Sequence, residues 1–186
     1  MLLERLFENL DLNVDPFATC AVATGWRLRL PSRDWVTLHY TLQGEGALRL
    51  GSGERLPLFP GSLAVMPPGT IHSVECGSDV RNESVAQGDD SPVCALAAGP
   101  PDDVALTIAC GRIQVTYSGT LGLFDRMTDA LVLDFPDSAP MRAAFEGLVK
   151  EQESGTYSHA MMAALMNQCL VLVFRRLAEL PASQLP

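Results

Sequence analysis

The strongest constraint on the fold is a series of short runs of alternating or purely apolar residues, which follow one another from about residue 18. The runs are GWRLRL, WVTLHYTL, GALRL, ERLPLF, SLAVM and IHSVEC. Turn-forming residues separate them, at 31–34, 43–46, 51–53, 60–61 and 67–69. Because many short strands at close, even spacing are typical of antiparallel sandwiches and barrels, the pattern predicts such a structure.

The second half of the chain changes from strand patterns to helix patterns. Residues 104–115 predict one more strand, in which the apolar residues change face at Gly111, and such a change indicates a β-bulge. Helical patterns follow over 120–133, over 138–155 and, longest of all, over 157–180. Strands that come first and helices that come last predict an α+β fold, mainly β, with the two kinds of element in separate layers.

Two segments lie outside this pattern. Residues 2–10 have apolar residues at helical spacing and predict a short amphipathic helix. Residues 77–103 are rich in Gly, Ser, Pro and Asp and have no periodicity. They predict a long, mobile surface loop between two strands, for which a connector without function is the simplest interpretation.

The composition excludes several classes of protein. The net charge is −9 and the thirteen Lys and Arg residues are scattered, which argues against binding to a nucleic-acid backbone by this segment. The cysteines are odd in number, form no C-x-x-C motif and follow no signal peptide, which indicates a reducing cytoplasm; they are Cys20, Cys76, Cys94, Cys110 and Cys169. The longest apolar run, CLVLVF, is too short to cross a membrane, so no membrane partner is expected.

One stretch, GSLAVMPPGTIHSVEC, carries a spaced motif that ends in a histidine. Its fixed positions are Gly61, Pro67, Gly69 and His72. Gly61 permits a tight turn, SLAVM forms a strand, and the Pro-Pro-Gly segment reverses the chain, so that His72 points inward from the next strand. This spacing closely resembles the second sequence motif of the cupin superfamily. The hairpin TLQGEG, residues 41–46, resembles the end of the first cupin motif.

The order of these motifs, followed by the C-terminal helical patterns, resembles one cupin subfamily over about residues 8–180. That subfamily is the N-terminal effector-binding and dimerisation domain of AraC-type transcriptional regulators. The resemblance implies a cupin barrel, of the double-stranded β-helix or jelly-roll type, with about eight strands over 1–117 and the long loop at 77–103. Residues 118–186 would form a helical region that packs on the barrel and provides the dimer interface. A helix-turn-helix DNA-binding domain is expected after residue 186, where this chain stops.

The candidate site residues follow from this barrel. A small-molecule pocket in the barrel interior is expected to be lined by Trp26, Trp35, Thr37, His39, Thr41, Met66, His72 and Val74. The resemblance also marks His39, His72 and the Cys110-Gly111 pair as typical positions. Imidazole nitrogen and thiolate sulfur suit Zn²⁺, so a zinc site formed by His39, His72 and Cys110 is one interpretation, and packing or hydrogen bonding around a pocket is the other.

Three functions remain open from the sequence. The first is the sensing and dimerisation domain of an AraC-type regulator, which is not an enzyme and binds an unknown small-molecule effector. The second is a small metal-dependent cupin enzyme of isomerase or dioxygenase type. It is disfavoured because Thr37 stands where the usual glutamate ligand would be, and residues 30–33 contain no histidine. The third is a protein–protein interaction module with an empty barrel.

The last helical pattern also predicts a homodimer. Between residues 157 and 180 apolar residues form two adjacent stripes, one that includes Leu165, Cys169 and Leu172 and one that includes Met166 and Val173. If the barrel covers only one stripe, the other lies in water, and an exposed apolar patch usually marks an interface. A two-fold pairing is the commonest way to bury such a patch.

Overall fold

The computed structural model describes residues 7–86, 95–119, 121–155 and 158–180, and within them thirteen strands precede two helices. The strands are β1 Leu10–Val14, β2 Ala18–Ala23, β3 Trp26–Leu30, β4 Val36–Gly44, β5 Gly46–Leu50, β6 Arg55–Leu58, β7 Ser62–Met66, β8 His72–Glu75, β9 Asn82–Val85, β10 Ala95–Ala98, β11 Val104–Tyr117, β12 Leu121–Gly122 and β13 Leu131–Asp134. The helices are α1 Ala139–Glu153 and α2 His159–Glu179. The α+β, mainly β class is therefore confirmed, although thirteen strands replace the expected eight.

The strands form two sheets that pack face to face. The larger sheet has the order β10-β2-β11-β4-β7-β13, and β1 and β12 also pair with β11. The smaller sheet has the order β6-β5-β8-β3-β9. Apolar side chains from both sheets form one buried cluster between them, which we call the inner core. Its fully buried members include Leu28, Leu48, Met66, Leu106 and Ile108.

A second buried cluster, the outer core, lies on the other side of the larger sheet. There Leu38 and Tyr40 of β4 pack against the two helices, and the Tyr40 ring stacks on the Phe145 ring of α1 with centroids 4.5 Å apart. Strand β4 is thus buried on both faces. The apolar residues of VTLHYTL point to the helices, and the alternate residues His39 and Thr41 point into the barrel and are fully buried.

Both helices begin where the sequence places a capping residue. The Ser138 side chain accepts a hydrogen bond from the Met141 backbone N–H, and Pro140 lies in the first turn of α1. The Ser158 side chain accepts a hydrogen bond in the same way from the Met161 N–H at the start of α2. The helices predicted over 138–155 and 157–180 are therefore confirmed.

The segment 77–103 is not one long loop. It contains β9, which joins the smaller sheet beside β3, and β10, which joins the larger sheet beside β2, both in parallel pairs. Residues 87–94 between them lie outside the described residues. No apolar alternation marks β9, because three of its four residues, NESV, are polar and most of them are exposed. The strand is therefore formed by main-chain pairing.

The sheet also extends further along the chain than predicted, at both ends. Residues 120–133 form no helix where they are described, because β13 pairs with β7 at the edge of the larger sheet and Leu133 reaches the outer core. The boundary between strands and helices therefore falls after residue 134 instead of at 117. At the other end, β1 pairs with β11. The predicted helix over 2–10 lies mostly outside the described residues.

The expected bulge at Gly111 is absent, since β11 pairs with β4 without a break from Ile108 to Ile113. The register shift lies earlier, between Thr107 and Ile108. The apolar residues change face because β11 passes from the inner core, where Cys110 lies, to the outer core, where Ile113 lies. Glycine is required at 111 because a Cβ there would lie 2.4 Å from the ring of Phe17.

The two apolar stripes of α2 differ in how far the chain itself covers them. Met166, Cys169 and Val173 are buried in the outer core, and Leu165 and Leu172 are half-buried against it. Of the large apolar residues of α2, Met161 alone is exposed. By length and composition α2 could cross a membrane, but the core helix of a soluble protein meets the same criteria. Because Leu165 and Leu172 keep part of their surface accessible, the homodimer stays a prediction.

Substitution of Gly111 tests the close approach of Phe17 to β11. We expect Gly111→Ala to lower the free energy of unfolding by about 1–3 kcal/mol, because the added methyl group overpacks the outer core. Gly51→Ala is the matched control, since a Cβ at 51 meets only ordinary contacts, and it should change stability by less than about 0.5 kcal/mol. Urea-induced unfolding measures both. Equal stability of the two variants would contradict this account of Gly111.

Candidate functional site

Three strands bring His39, His72 and Cys110 together inside the barrel. His39 on β4 lies directly opposite Cys110 on β11 in the register of the larger sheet. His72 is the first residue of β8 in the smaller sheet. All three are buried, at 0%, 3% and 7% exposure respectively. The contact between the two histidines therefore connects the two sheets through the barrel interior.

The three side chains form a linear chain of hydrogen bonds. Cys110 Sγ lies 3.3 Å from His39 Nδ1, and the other ring nitrogen of His39, Nε2, lies 2.7 Å from His72 Nε2. His72 Nδ1 lies 3.0 Å from the backbone oxygen of Thr70. We call this arrangement the histidine chain. It runs from the wall of the larger sheet to the turn that precedes β8.

One set of protons satisfies every member of the histidine chain. The Thr70 carbonyl can only accept, so His72 Nδ1 carries a hydrogen and donates it. His72 Nε2 is then the acceptor for the Nε2–H of His39. His39 Nδ1 is left with a lone pair, which accepts the S–H of Cys110. All three side chains are neutral in this arrangement.

The surroundings of the histidine chain favour the neutral forms. Burial lowers the pKa of His39 well below its ordinary value, and the neighbouring His72 lowers it further. Burial also lowers the pKa of His72, which its hydrogen bond to Thr70 opposes. Burial raises the pKa of the Cys110 thiol well above its ordinary value, and a hydrogen-bonding contact with the Cys20 thiol raises it further. The interior therefore holds polar groups without holding a charge.

The histidine chain does not fit a zinc ion bound by His39, His72 and Cys110. Ligand atoms of one tetrahedral zinc lie about 3.3 Å apart and direct their lone pairs at one point. Here the two Nε2 atoms share a hydrogen at 2.7 Å, and Cys110 contacts the opposite nitrogen of the His39 ring. Among the described residues, no group of three or more His, Cys, Asp or Glu side chains is placed to hold a metal ion. The predicted ligands converge, but as a hydrogen-bonded chain.

The other residues predicted to line the pocket fall into three groups. Met66 and Val74 belong to the inner core and, like Thr41, are fully buried. The Thr41 hydroxyl has no hydrogen-bond partner among the described residues. Thr37 and Trp26 are half-buried, and Trp26 packs on the edge of the inner core. Trp35 lies apart, at an open pocket that Phe124 and Asp125 also line.

A larger pocket opens at the mouth of the barrel, next to the end of the histidine chain. It has a volume of about 690 Å³. Its lining comes from the turn after β5, the start of β6, the turn before β8 and the segment before β13, namely Leu50, Gly51, Ser52, Glu54, Leu56, Gly69, Thr70, Ile71, Thr128, Asp129 and Ala130. We call this pocket the mouth pocket. Thr70 belongs to both the mouth pocket and the histidine chain.

No sequence pattern points directly to the mouth pocket. Its lining residues are mostly turn residues whose types are set by chain reversal, and Thr128 to Ala130 lay in a segment for which a helix was expected. Gly69 and Thr70 belong to the cupin-like motif, so the neighbourhood of the mouth could have been inferred from the position of His72. The remaining side of the pocket requires the observed pairing of β13 with β7.

The two facing sheets, with a buried histidine at the start of β8 and helices on the outside of one sheet, define a cupin-type barrel. A cupin family model matches residues 2–179, which is nearly the whole chain. The chain therefore belongs to the cupin family, as a cupin domain of the AraC type.

Solved structures match this chain only at low identity. ToxT from Vibrio cholerae is 10% identical over 90% of this chain and 55% of its own, with a TM-score of 0.44. The protein YhaK from Escherichia coli is 13% identical over 71% of this chain and 46% of its own, with a TM-score of 0.38. This chain thus spans about half the length of these proteins. No curated protein matches it.

The lowered pKa values of the two histidines predict an acid-sensitive fold. The unfolded chain takes up protons as the pH falls below about 6.5, whereas the buried imidazoles stay neutral until lower pH. Their contribution to stability is therefore complete above that pH and is lost as the pH falls towards the folded-state pKa values. We expect the free energy of unfolding, measured by urea titration at successive pH values, to decrease over this range.

A substitution at His72 isolates this effect. The slope of the free energy of unfolding against pH measures how many more protons the unfolded chain binds than the folded chain. His72→Gln should lower this number by about one, because one of the two buried imidazoles is gone. Thr41→Val changes a buried polar residue of the same interior without removing a titrating group, and it should keep the slope of the original protein. A slope that His72→Gln leaves unchanged would show that His72 is not held neutral by the fold.

Proposed function

We propose that this chain is the small-molecule-sensing domain of an AraC-type transcriptional regulator, and that its effector binds in the mouth pocket. The observation that supports the proposal best is the connection between that pocket and the barrel interior. Thr70 lines the mouth pocket with its neighbour Ile71, and the Thr70 carbonyl accepts the hydrogen bond of His72. An effector that contacts this turn therefore lies one hydrogen bond away from the link between the two sheets.

The lining of the mouth pocket favours a particular kind of effector. Leu50, Leu56 and Ile71 supply apolar surface, and the lining includes the acids Glu54 and Asp129 but no basic residue. A carboxylate or phosphate ligand would be repelled by these two acids. The effector is therefore a small neutral or cationic molecule, with polar groups for Thr70 or Thr128 and an apolar part for the remaining wall.

Binding at the mouth would act by shifting the population of two barrel states. In one state the Thr70 carbonyl accepts from His72, as observed. In the other, the effector would compete for Thr70 or displace the turn before β8, and His72 would need a new acceptor. An effector changes the equilibrium only by its difference in affinity for the two states. The buried polar chain supplies such a difference because an unpaired buried hydrogen-bonding group costs about 1–3 kcal/mol.

The remaining parts of the proposal concern the whole regulator. DNA would be bound by a helix-turn-helix domain that follows residue 186, since this segment is acidic. A homodimer would place two such domains on repeated DNA sites. The protein would act in the cytoplasm, in line with the cysteines that the structure describes, which are free thiols at Cys20, Cys76, Cys110 and Cys169.

A metal-dependent cupin enzyme is the second candidate, and metal analysis separates it from a sensor. Stoichiometric iron, manganese or zinc in the purified protein, with turnover of a substrate, would favour the enzyme. A screen of neutral sugars, amino alcohols and polyamines by thermal unfolding tests the sensor. One compound that raises the melting temperature in a saturable way, without being converted, is the expected result.

A bulky residue in the mouth pocket should abolish this effect. Ala130→Phe fills part of the pocket, and we expect the dissociation constant of the compound found in the screen to increase at least tenfold, as measured by calorimetry. Ala164→Phe, on the exposed side of α2, makes the same change far from the barrel and should bind like the original protein. If Ala130→Phe binds the compound normally while remaining folded, the mouth pocket is not the effector site.

The proposed dimer is tested by light scattering on the intact chain. We expect a molar mass of twice the 20.0 kDa of one chain at micromolar concentration. Because Leu165 and Leu172 of α2 are only half-buried, a charge on the neighbouring exposed residue, as in Ala164→Glu, should weaken a dimer that uses α2 and reduce the mass. A mass of one chain at all concentrations would restrict the sensor to a monomeric segment.

A further inference from the structure

The outer face of the smaller sheet gathers arginines that are far apart in the sequence. Glu75 on β8 is 1% exposed and lies at the centre of three of them. Its Oε1 atom lies 2.6 Å from Arg27 Nη2 and 2.7 Å from Arg49 Nε, and its Oε2 atom lies 3.1 Å from Arg55 Nε. One buried carboxylate therefore fixes the guanidinium groups of three strands in place.

A fourth arginine, Arg29, completes this face. The sheet register places Arg29 of β3 and Arg49 of β5 directly on either side of Ser73 of β8, and all three point away from the inner core. A pocket of about 180 Å³ lies at this position, lined by Arg27, Arg29, Arg49 and Ser73 among others. Arg29 is exposed and its guanidinium forms no ion pair or hydrogen bond with any described residue. It is therefore available to a ligand.

The charges on this face do not balance. Among the residues that the structure describes on this face, four guanidinium groups carry four positive charges, against one negative charge each on Glu75 and Glu83. The face therefore has an excess of two positive charges in a chain whose net charge is −9. Structural ion pairing accounts for Arg27, Arg49 and Arg55 but not for Arg29. The excess charge, the fixed geometry and the unpaired Arg29 have one explanation in common, which is an anionic ligand.

We propose that this pocket, the arginine pocket, binds the phosphate group of a small phosphorylated molecule. A phosphate monoester carries about −1.5 to −2 charges at pH 7, which matches the local excess of two, whereas a carboxylate carries only one. The free guanidinium of Arg29 can donate two parallel hydrogen bonds to phosphate oxygens, and the Nη2 group of Arg49, which Glu75 does not use, can add a further one. The Ser73 hydroxyl at the floor adds a neutral donor. The buried Glu75 already holds Arg27 and Arg49 in place without ligand, so binding costs little further side-chain conformational entropy.

This site is separate from the mouth pocket in its chemistry, so the two proposals fail independently. The charged residues that line the mouth pocket are two acids, whereas those of the arginine pocket are three arginines and one acid, Glu83. The two pockets share Leu50, Gly51 and Ile71 at the rim. A compound for the mouth pocket should therefore not displace phosphate by charge competition. The two pockets would be neighbouring sites for ligands of different charge.

The test is a calorimetric titration of the intact 186-residue chain with inorganic phosphate at pH 7.5, at constant ionic strength. We expect saturable binding with one site per chain and a dissociation constant that increases with sodium chloride concentration. Arg29→Gln removes the unpaired guanidinium without exposing a buried group, and it should weaken binding about tenfold. Arg29→Lys keeps the charge but loses the paired donors, and it should bind with intermediate affinity.

Arg175→Gln is the matched control, because it removes the same charge from the exposed surface of α2. It should leave the dissociation constant for phosphate within about twofold of the original value. Absence of saturable binding, or an equal loss in Arg29→Gln and Arg175→Gln, would overturn the site. Acetate, as a monoanion, should bind more weakly than phosphate, and equal affinity for both would overturn the assignment to a phosphate group.

Discussion

The fold depends on the burial of the larger sheet on both of its faces. Strand β4 has Leu38 and Tyr40 in the outer core and His39 and Thr41 in the barrel interior. Because successive residues of a strand point to opposite faces, a register slip of one position would turn the apolar residues inward and the polar residues towards the helices. The two cores together therefore specify one register. That register is also what places His39 opposite Cys110.

The same register places polar side chains in the barrel interior, where they must be neutral and hydrogen-bonded. A buried histidine cannot keep a charge without a partner, and an unpaired buried donor is costly. The histidine chain meets both conditions because each member is neutral and each has an acceptor, down to the Thr70 carbonyl. In the proposed sensor, the same connection would let a ligand at the barrel mouth act at a distance. A change at one end of a satisfied chain leaves the next group unpaired.

The sequence predicted the parts of this structure that leave a side-chain pattern. The cupin-like motif located His72, and the barrel that it implies placed His39 in the interior, where the structure has it. It did not predict β9, β10 or β13, because edge strands are held by main-chain hydrogen bonds that any residue can form. It also suggested a bulge at Gly111, since a change of apolar face looks the same whether a strand bulges or passes between two cores.

The grouping of charges on the folded surface is the feature that is hardest to predict from the order of residues. Arg27, Arg29, Arg49 and Arg55 are scattered singly along an acidic chain, and the net charge argues against binding to a nucleic-acid backbone. Antiparallel pairing of β6, β5, β8 and β3 brings them to one face of the smaller sheet. The net charge describes long-range attraction, whereas binding at contact distance depends on the few groups within a Debye length. An acidic protein can therefore repel nucleic acid as a whole and still hold a phosphate at one fixed set of arginines.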